Sequence, residues 1–214
     1  MPSPVAHAVA GVTTYLAFVP RTPLPWTTRA TFLGACVFLA VFPDLDFLPG
    51  LIVGAPNQFH QGPSHSLLVV ALVWLAVLAL LSVRRRTWLR GLSRQTLLLG
   101  TALAAFSHPF LDYFSIGNGI PLFWPLDSST YASPWPLFLN VTRDNVPGAA
   151  FFLSLFSLHN LLALSRELLF SVALLTLVAG LRQYQQPAWA WVLSGIALIM
   201  VLVLVEPGWT AAAF

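Results

Sequence analysis

The chain has 214 residues, 57% of them hydrophobic and only 8% charged, against about 25% charged in an ordinary soluble domain. That excludes a soluble globule, and 13% aromatic content, with eight Trp and sixteen Phe, excludes a disordered chain. The net charge of +3 comes from ten Arg and no Lys; they fall mostly in short loops, which argues against a nucleic-acid-binding face. A single Cys36 in an apolar run leaves no disulfide framework and no thiolate zinc site within one chain. The first positive charge is Arg21, whereas a cleaved secretory signal carries its charges ahead of an apolar segment. The N-terminus is therefore expected to be mature structure. The reading is an all-α polytopic integral membrane bundle of about six short spans, forming a single transmembrane domain over residues 1–214.

In chain order, apolar runs at about 5–20 and 30–43, each closed by a polar residue at one end, are expected to cross the membrane. Residues 66–83 are uncharged and long enough to cross most of a hydrocarbon core at about 1.5 Å per residue. Another span is expected at 95–111. Residues 114–148, rich in Gly, Pro, Trp and Asn, read as a long outer loop of special turns, and such loops are often functional. The stretch 149–181 is too long for one span and carries Arg166 and Glu167 in its middle. It divides into an interfacial or re-entrant helix near 149–163 and a span near 165–181, with Arg166 and Glu167 as a structural charge pair. The last span is expected at 187–205.

Positive residues of short loops stay on the cytoplasmic side. Arg84, Arg85, Arg86, Arg90 and Arg94 share one loop; placing it inside also puts Arg21, Arg29 and Arg182 inside, and only Arg143 clearly outside. The expected topology in the cell's inner membrane is N-out and C-out. On it, seven ionisable residues fall at the same outer level: His7, Asp44, Asp46, His60, His65, His108 and Asp112. Each is costly in lipid and by default marks a functional site.

Their spacing suits a metal centre. His108 and Asp112 are i,i+4 and share a helical face, with Pro109 between them bending the helix. Asp44 and Asp46 flank one residue after Pro43, so in extended geometry they point the same way. His60 and His65 straddle Gly62 and Pro63, a turn leading to a helix start that Ser64 or Ser66 could cap. His7 is followed by Ala8, Ala10 and Gly11, small residues that let helices approach closely. A His and carboxylate set without Cys suits zinc, with manganese or iron as substitutes, better than calcium. Seven donors imply two ions, or one ion with a generous outer shell. His159, without a partner at motif spacing, reads as a helix-packing residue; Asp127 and Asp144 read as solvated loop residues. Arg143 is the candidate substrate-binding residue, because a guanidinium fork suits a phosphate.

His7 with Gly11, PDLD at 43–46, HQGPSHS at 60–66, SHPFLD at 107–112 and GNGIPLFWP at 117–125 together resemble the YdjM-like predicted membrane-bound metal-dependent hydrolases of bacteria and archaea, over roughly residues 5–125. The resemblance implies that the seven residues form the metal site. Gln61 stands where that family's HRG motif has Arg, so no substrate-charge role carries over to it. The order His, Asp, His, HxxxD is more distantly similar to zinc-dependent phospholipase C, which favours phosphoester cleavage. The expected function is therefore metal-dependent hydrolysis of a membrane lipid or lipid-linked phosphoester at the outer interface, with Asp44 or Asp46 as the catalytic proton acceptor. The alternatives are a metal transporter or sensor, for which ligands at several depths along a path would be expected, and a non-catalytic protein whose helix ends a metal braces.

Overall fold

A computed structural model describes residues 1–182 apart from 56, 57, 145 and 147, together with 193, 195 and 196. All regular structure among these residues is helical: α1 (Pro4–Phe18), α2 (Trp26–Val41), α3 (Phe47–Val53), α4 (Leu67–Val83), α5 (Arg85–Trp88), α6 (Arg94–Tyr113), α7 (Ala149–Ser154) and α8 (Leu158–Arg182). Short 3-10 turns at Phe42–Asp46 and Pro63–His65 lead into α3 and α4. Two stretches are long and apolar enough to cross a membrane, Trp26–Val53 and Leu158–Arg182; Pro4–Phe18 and Leu67–Val83 are apolar but shorter. Of the six spans expected, the one at 187–205 lies outside the described residues except for 193, 195 and 196.

The helices carry an apolar exterior. The 17 residues of α4 include no charge, and Leu68, Leu72, Leu75 and Leu80 all stand exposed. A helix apolar all round belongs in a large core or a membrane rather than in water. Inside, Phe32, Cys36 and Leu39 of α2 meet Leu97, Ala104 and Ala105 of α6, with Val70 of α4 closing the layer. The approach of α1 to α2 is closest at Gly11, where an added Cβ would lie 2.8 Å from both the Cys36 carbonyl oxygen and Val37 Cα. Only hydrogen fits there, so the small-residue stripe of α1 brings its backbone against that of α2.

Three expectations are corrected. First, α2 begins at Trp26 rather than 30, taking Thr27, Thr28 and Arg29 into its first turn directly after Pro25. Second, Asp44 and Asp46 are not extended but lie in a 3-10 turn, whose three-residue period sends side chains two apart in different directions. Third, the chain divides at residues 155–157, not near 164. Ser157 accepts from the Asn160 N–H at 3.1 Å and starts a 25-residue α8 that runs through Arg166 and Glu167. Adjacent residues of a helix do not face each other, and among the described residues no ion pair joins these two. Glu167 turns instead toward Ser3 of the α1 N-terminus.

The described residues of the segment 114–148 are irregular but anchored. Its chain pairs with itself at Ile120 and Tyr131, and Ile120 and Phe138 are buried. Gly119, at φ +76, sits so close to the Tyr131 backbone that a Cβ would come within 2.6 Å of its carbonyl. Asp127 staples this loop by accepting from the Ser129 N–H and the Tyr131 hydroxyl. His159 lies against the Asn140 carbonyl at 2.7 Å, and Asn160 accepts from the Thr142 N–H at 2.8 Å, so α8 holds the loop's far end. The Leu122 carbonyl accepts from Leu67 N–H at the head of α4, which brings the loop over the same end of the bundle as residues 60–66.

Candidate metal centre

Four segments deliver the site. His7 stands in the first turns of α1 and Asp44 in the 3-10 turn that ends α2. His65 stands in the turn before α4, while His108 and Asp112 occupy one face near the end of α6. Ser66 caps α4, accepting from the Val69 N–H at 3.3 Å and donating to the Pro63 carbonyl at 2.7 Å. That fixes the turn carrying His65. On α6, Pro109 follows His108 inside the helix, and both are buried. His7, His65 and His108 are 0% exposed, Asp112 1% and Asp44 2%.

Asp112 is the hub. Its Oδ1 lies 3.3 Å from His7 Nε2, and its Oδ2 lies 3.2 Å from His108 Nε2 and 3.6 Å from His65 Nε2. Asp44 Oδ1 faces the same two rings from the other side, 3.8 Å from His65 Nε2 and 3.9 Å from His108 Nε2. The rings of His7 and His108 stack with centroids 3.8 Å apart. Two overlapping donor groups result, His7 with His108 and Asp112, and Asp44 with His65 and His108, each spanning no more than 4.8 Å. Ligands about 2.0–2.2 Å from a tetrahedral ion stand a little over 3 Å from each other, so the separations are close to those of a closed coordination shell.

The tautomers support cation binding. His108 Nδ1 lies 2.7 Å from the Ala40 carbonyl, which can only accept, so the ring proton is on Nδ1 and Nε2 turns toward the carboxylates. Ser64 donates its hydroxyl to Asp46 Oδ2 at 2.7 Å, leaving its oxygen to accept from His65 Nδ1 at 3.0 Å. His65 Nε2 therefore also faces inward. Burial alone would lower the pKa of His65, but the carboxylates of Asp44 and Asp46 outweigh it and push it up to about 9. A proton and a metal ion compete for that nitrogen.

Asp46 and His60 stand one layer further out. His60 Nδ1 donates to Asp46 Oδ1 at 2.8 Å, and the Gly62 N–H approaches Asp46 Oδ2 at 3.4 Å, so Asp46 is occupied with orienting the His60–His65 turn. Carboxylates of this kind hold a ligand ring in place and raise its basicity. Replacing Asp46 by Ala is expected to weaken metal affinity by about 10–100-fold while leaving the fold intact; competition with a chromophoric chelator measures it, and an unchanged affinity would remove Asp46 from this role. Arg143 is half-buried in the loop 114–148. Burial lowers its pKa, and the charges of Asp44 and Asp46 oppose that shift in part. Asp144, through its backbone N–H, bonds Ser154 instead.

Eight buried side-chain atoms lack a hydrogen-bond partner among the described residues: both nitrogens of His7, Nε2 of His60, His65 and His108, Oδ2 of Asp44, and both oxygens of Asp112. Buried polar atoms are nearly always paired, and so many orphans in one place mark a convergent set of donor atoms suited to a further partner. Nitrogen and carboxylate donors without thiolate match a zinc-type ion, so the residues present fit a divalent metal. Sequence reasoning missed the supports, namely the Ala40 carbonyl, Ser64 and Glu167. The first is a backbone atom without a sequence signal, whereas an acid inside an apolar helix is a signal in its own right.

The chain belongs to the YdjM inner membrane protein family, whose sequence profile matches residues 1–206. The match runs well past the 5–125 block to which the motifs confine the resemblance, taking in the rest of the loop 114–148, α7 and α8. No curated protein and no solved structure matches the chain.

Proposed function

We propose that the protein is a metal-dependent hydrolase of the inner membrane acting on a lipid or lipid-linked phosphoester. The observation that carries this reading is the set of eight unpaired buried polar atoms converging from α1, α2, α4 and α6. His7, Asp44, His65, His108 and Asp112 would hold zinc, or manganese or iron in its stead. Asp112, with Oδ1 toward His7 and Oδ2 toward His65 and His108, would be the carboxylate central to the set.

A bound divalent ion supplies Lewis acidity and brings the pKa of water down to about 7. The chain's own residues supply the rest. Asp44 keeps Oδ2 without a partner, whereas both oxygens of Asp46 are engaged by His60, Ser64 and Gly62. Asp44 Oδ2 thus accepts the proton from the attacking water, and Asp46 orients His65. Arg143, in the loop 114–148, would bind the substrate's phosphate through its planar fork.

The lipid assignment follows from depth. Six spans with N-out and C-out termini put the helix ends that carry the site at the outer headgroup level, and the loop over them at the water interface. The test is phosphoester release from a panel of phospholipids and lipid-linked phosphates in mixed micelles, with metal content measured by mass spectrometry on the same protein. Turnover lost on chelation and restored by zinc or manganese supports the reading. A metal-loaded protein inert toward the whole panel counts against hydrolysis and favours a centre that braces helix ends.

A further inference from the structure

Glu167 is 1% exposed in the middle of the apolar α8, far from any motif. An acid at such a position is expensive and calls for a reason. Its partner is the first turn of α1: Ser3 donates its backbone N–H to Glu167 Oε1 at 2.7 Å and its hydroxyl to Oε2. Ser3 is also the N-cap of α1, its hydroxyl oxygen accepting from the Ala6 N–H at 3.4 Å and its carbonyl from Ala6 and His7. One carboxylate thereby fixes the capping residue from which the helix starts, and its negative charge lies at the positive end of that helix.

His7 follows one turn later, and the ring makes no hydrogen bond of its own. His65 has Ser64 and Asp46, and His108 has the Ala40 carbonyl, to set their rings. Among the described residues, His7 has the placement of its helix, the stack on His108 and the approach to Asp112 Oδ1 at 3.3 Å, with nothing but the helix holding it from its own side. At the opposite end of α1, Arg182 of α8 donates to the Val19 carbonyl. The two helices run parallel and α8 grips α1 at both ends, the outer grip being the one beside the site.

We propose that Glu167 is a positioning residue for the metal centre, holding the α1 N-terminus so that His7 meets Asp112. The inference rests on the metal-binding reading above. It makes a prediction that a merely structural role does not: the effect of Glu167 on metal affinity must pass through His7.

The experiment measures zinc affinity by chelator competition for the full-length protein in detergent, alongside thermal unfolding. It compares wild type, Glu167→Ala, Glu167→Gln, Ser3→Ala and His7→Ala, the first three substitutions also being combined with His7→Ala. Expected are a loss of about tenfold for Glu167→Ala, a smaller loss in the same direction for Ser3→Ala, and near-complete rescue by Glu167→Gln, whose amide oxygen still accepts. In the His7→Ala background the Glu167 and Ser3 changes have no further effect, whereas Glu167→Ala keeps its full effect on top of Asp46→Ala. Should Glu167→Ala not accumulate, Ser3→Ala carries the same comparison. Equal losses with and without His7, or no loss in either, overturn the inference while leaving the metal site standing. A folded wild type that takes up no metal overturns the site and the inference together.

Discussion

Asp112→Ala is expected to empty the metal centre. Among the described residues, its two oxygens are the carboxylate atoms that lie near His7, His65 and His108 together, at 3.3, 3.6 and 3.2 Å, and no neighbouring acid can substitute from the same face of α6. Loss of a partner one layer out costs a metal site about 10–100-fold in affinity, so loss of a carboxylate that approaches all three rings should exceed about 100-fold. Mass spectrometry of the purified variant should find less than about a tenth of the wild-type metal. Asp112→Asn retains one oxygen acceptor and the side-chain volume but no charge; it should fall between the two. Wild-type metal content in Asp112→Ala, with the helical spectrum unchanged, would show that the cluster is a hydrogen-bonding core rather than a ligand set.

The second large effect is expected at Gly11, and it acts on the backbone. Replacing a helical Gly by Ala normally stabilises by about 1 kcal/mol. At Gly11 the new methyl would stand 2.8 Å from the Cys36 carbonyl oxygen and Val37 Cα, atoms that cannot rotate away. Overpacking of this kind costs about 1–3 kcal/mol, so the sign reverses: Gly11→Ala should lower the unfolding temperature and, by moving α1 off α2, separate His7 from Asp112 and weaken metal binding. Gly34 is the internal control, since nothing lies within 4 Å of its added Cβ. Gly34→Ala should be neutral or stabilising, and equal behaviour of the two variants would exclude a close α1–α2 contact.

Local features of the chain were legible from sequence where the physical cause is local. The i,i+4 spacing of His108 and Asp112 was enough to put both on one face, and the Gly62–Pro63 turn with Ser66 after it was enough to start α4. PDLD was harder. Its residues were correctly read as neighbours, but Pro43 initiates a 3-10 turn instead of an extended segment, and that separates Asp44, facing the donors, from Asp46, facing His60 and Ser64. The division of 149–181 was misplaced because its length and two central charges were taken to require a break there, whereas Ser157 starts the helix and Glu167 finds its partner at Ser3, the N-cap of α1. A partner 164 residues away leaves no trace in local periodicity. What sequence does offer is the oddity of an acid in an apolar helix, and that oddity points to a long-range contact without naming it.

The grip of α8 on α1 also bears on how the protein is made. The motifs that form the candidate centre lie within the first 112 residues, yet α8, whose Glu167 meets Ser3, is synthesised only after the loop 114–148 and α7. Contacts so distant in sequence pay their loop-closure entropy late. During synthesis, therefore, α1 can pack on α2 and α6 before α8 exists, and the Glu167–Ser3 contact is added last. If that contact positions His7 as proposed, a chain interrupted before α8 should retain less metal than the full-length protein.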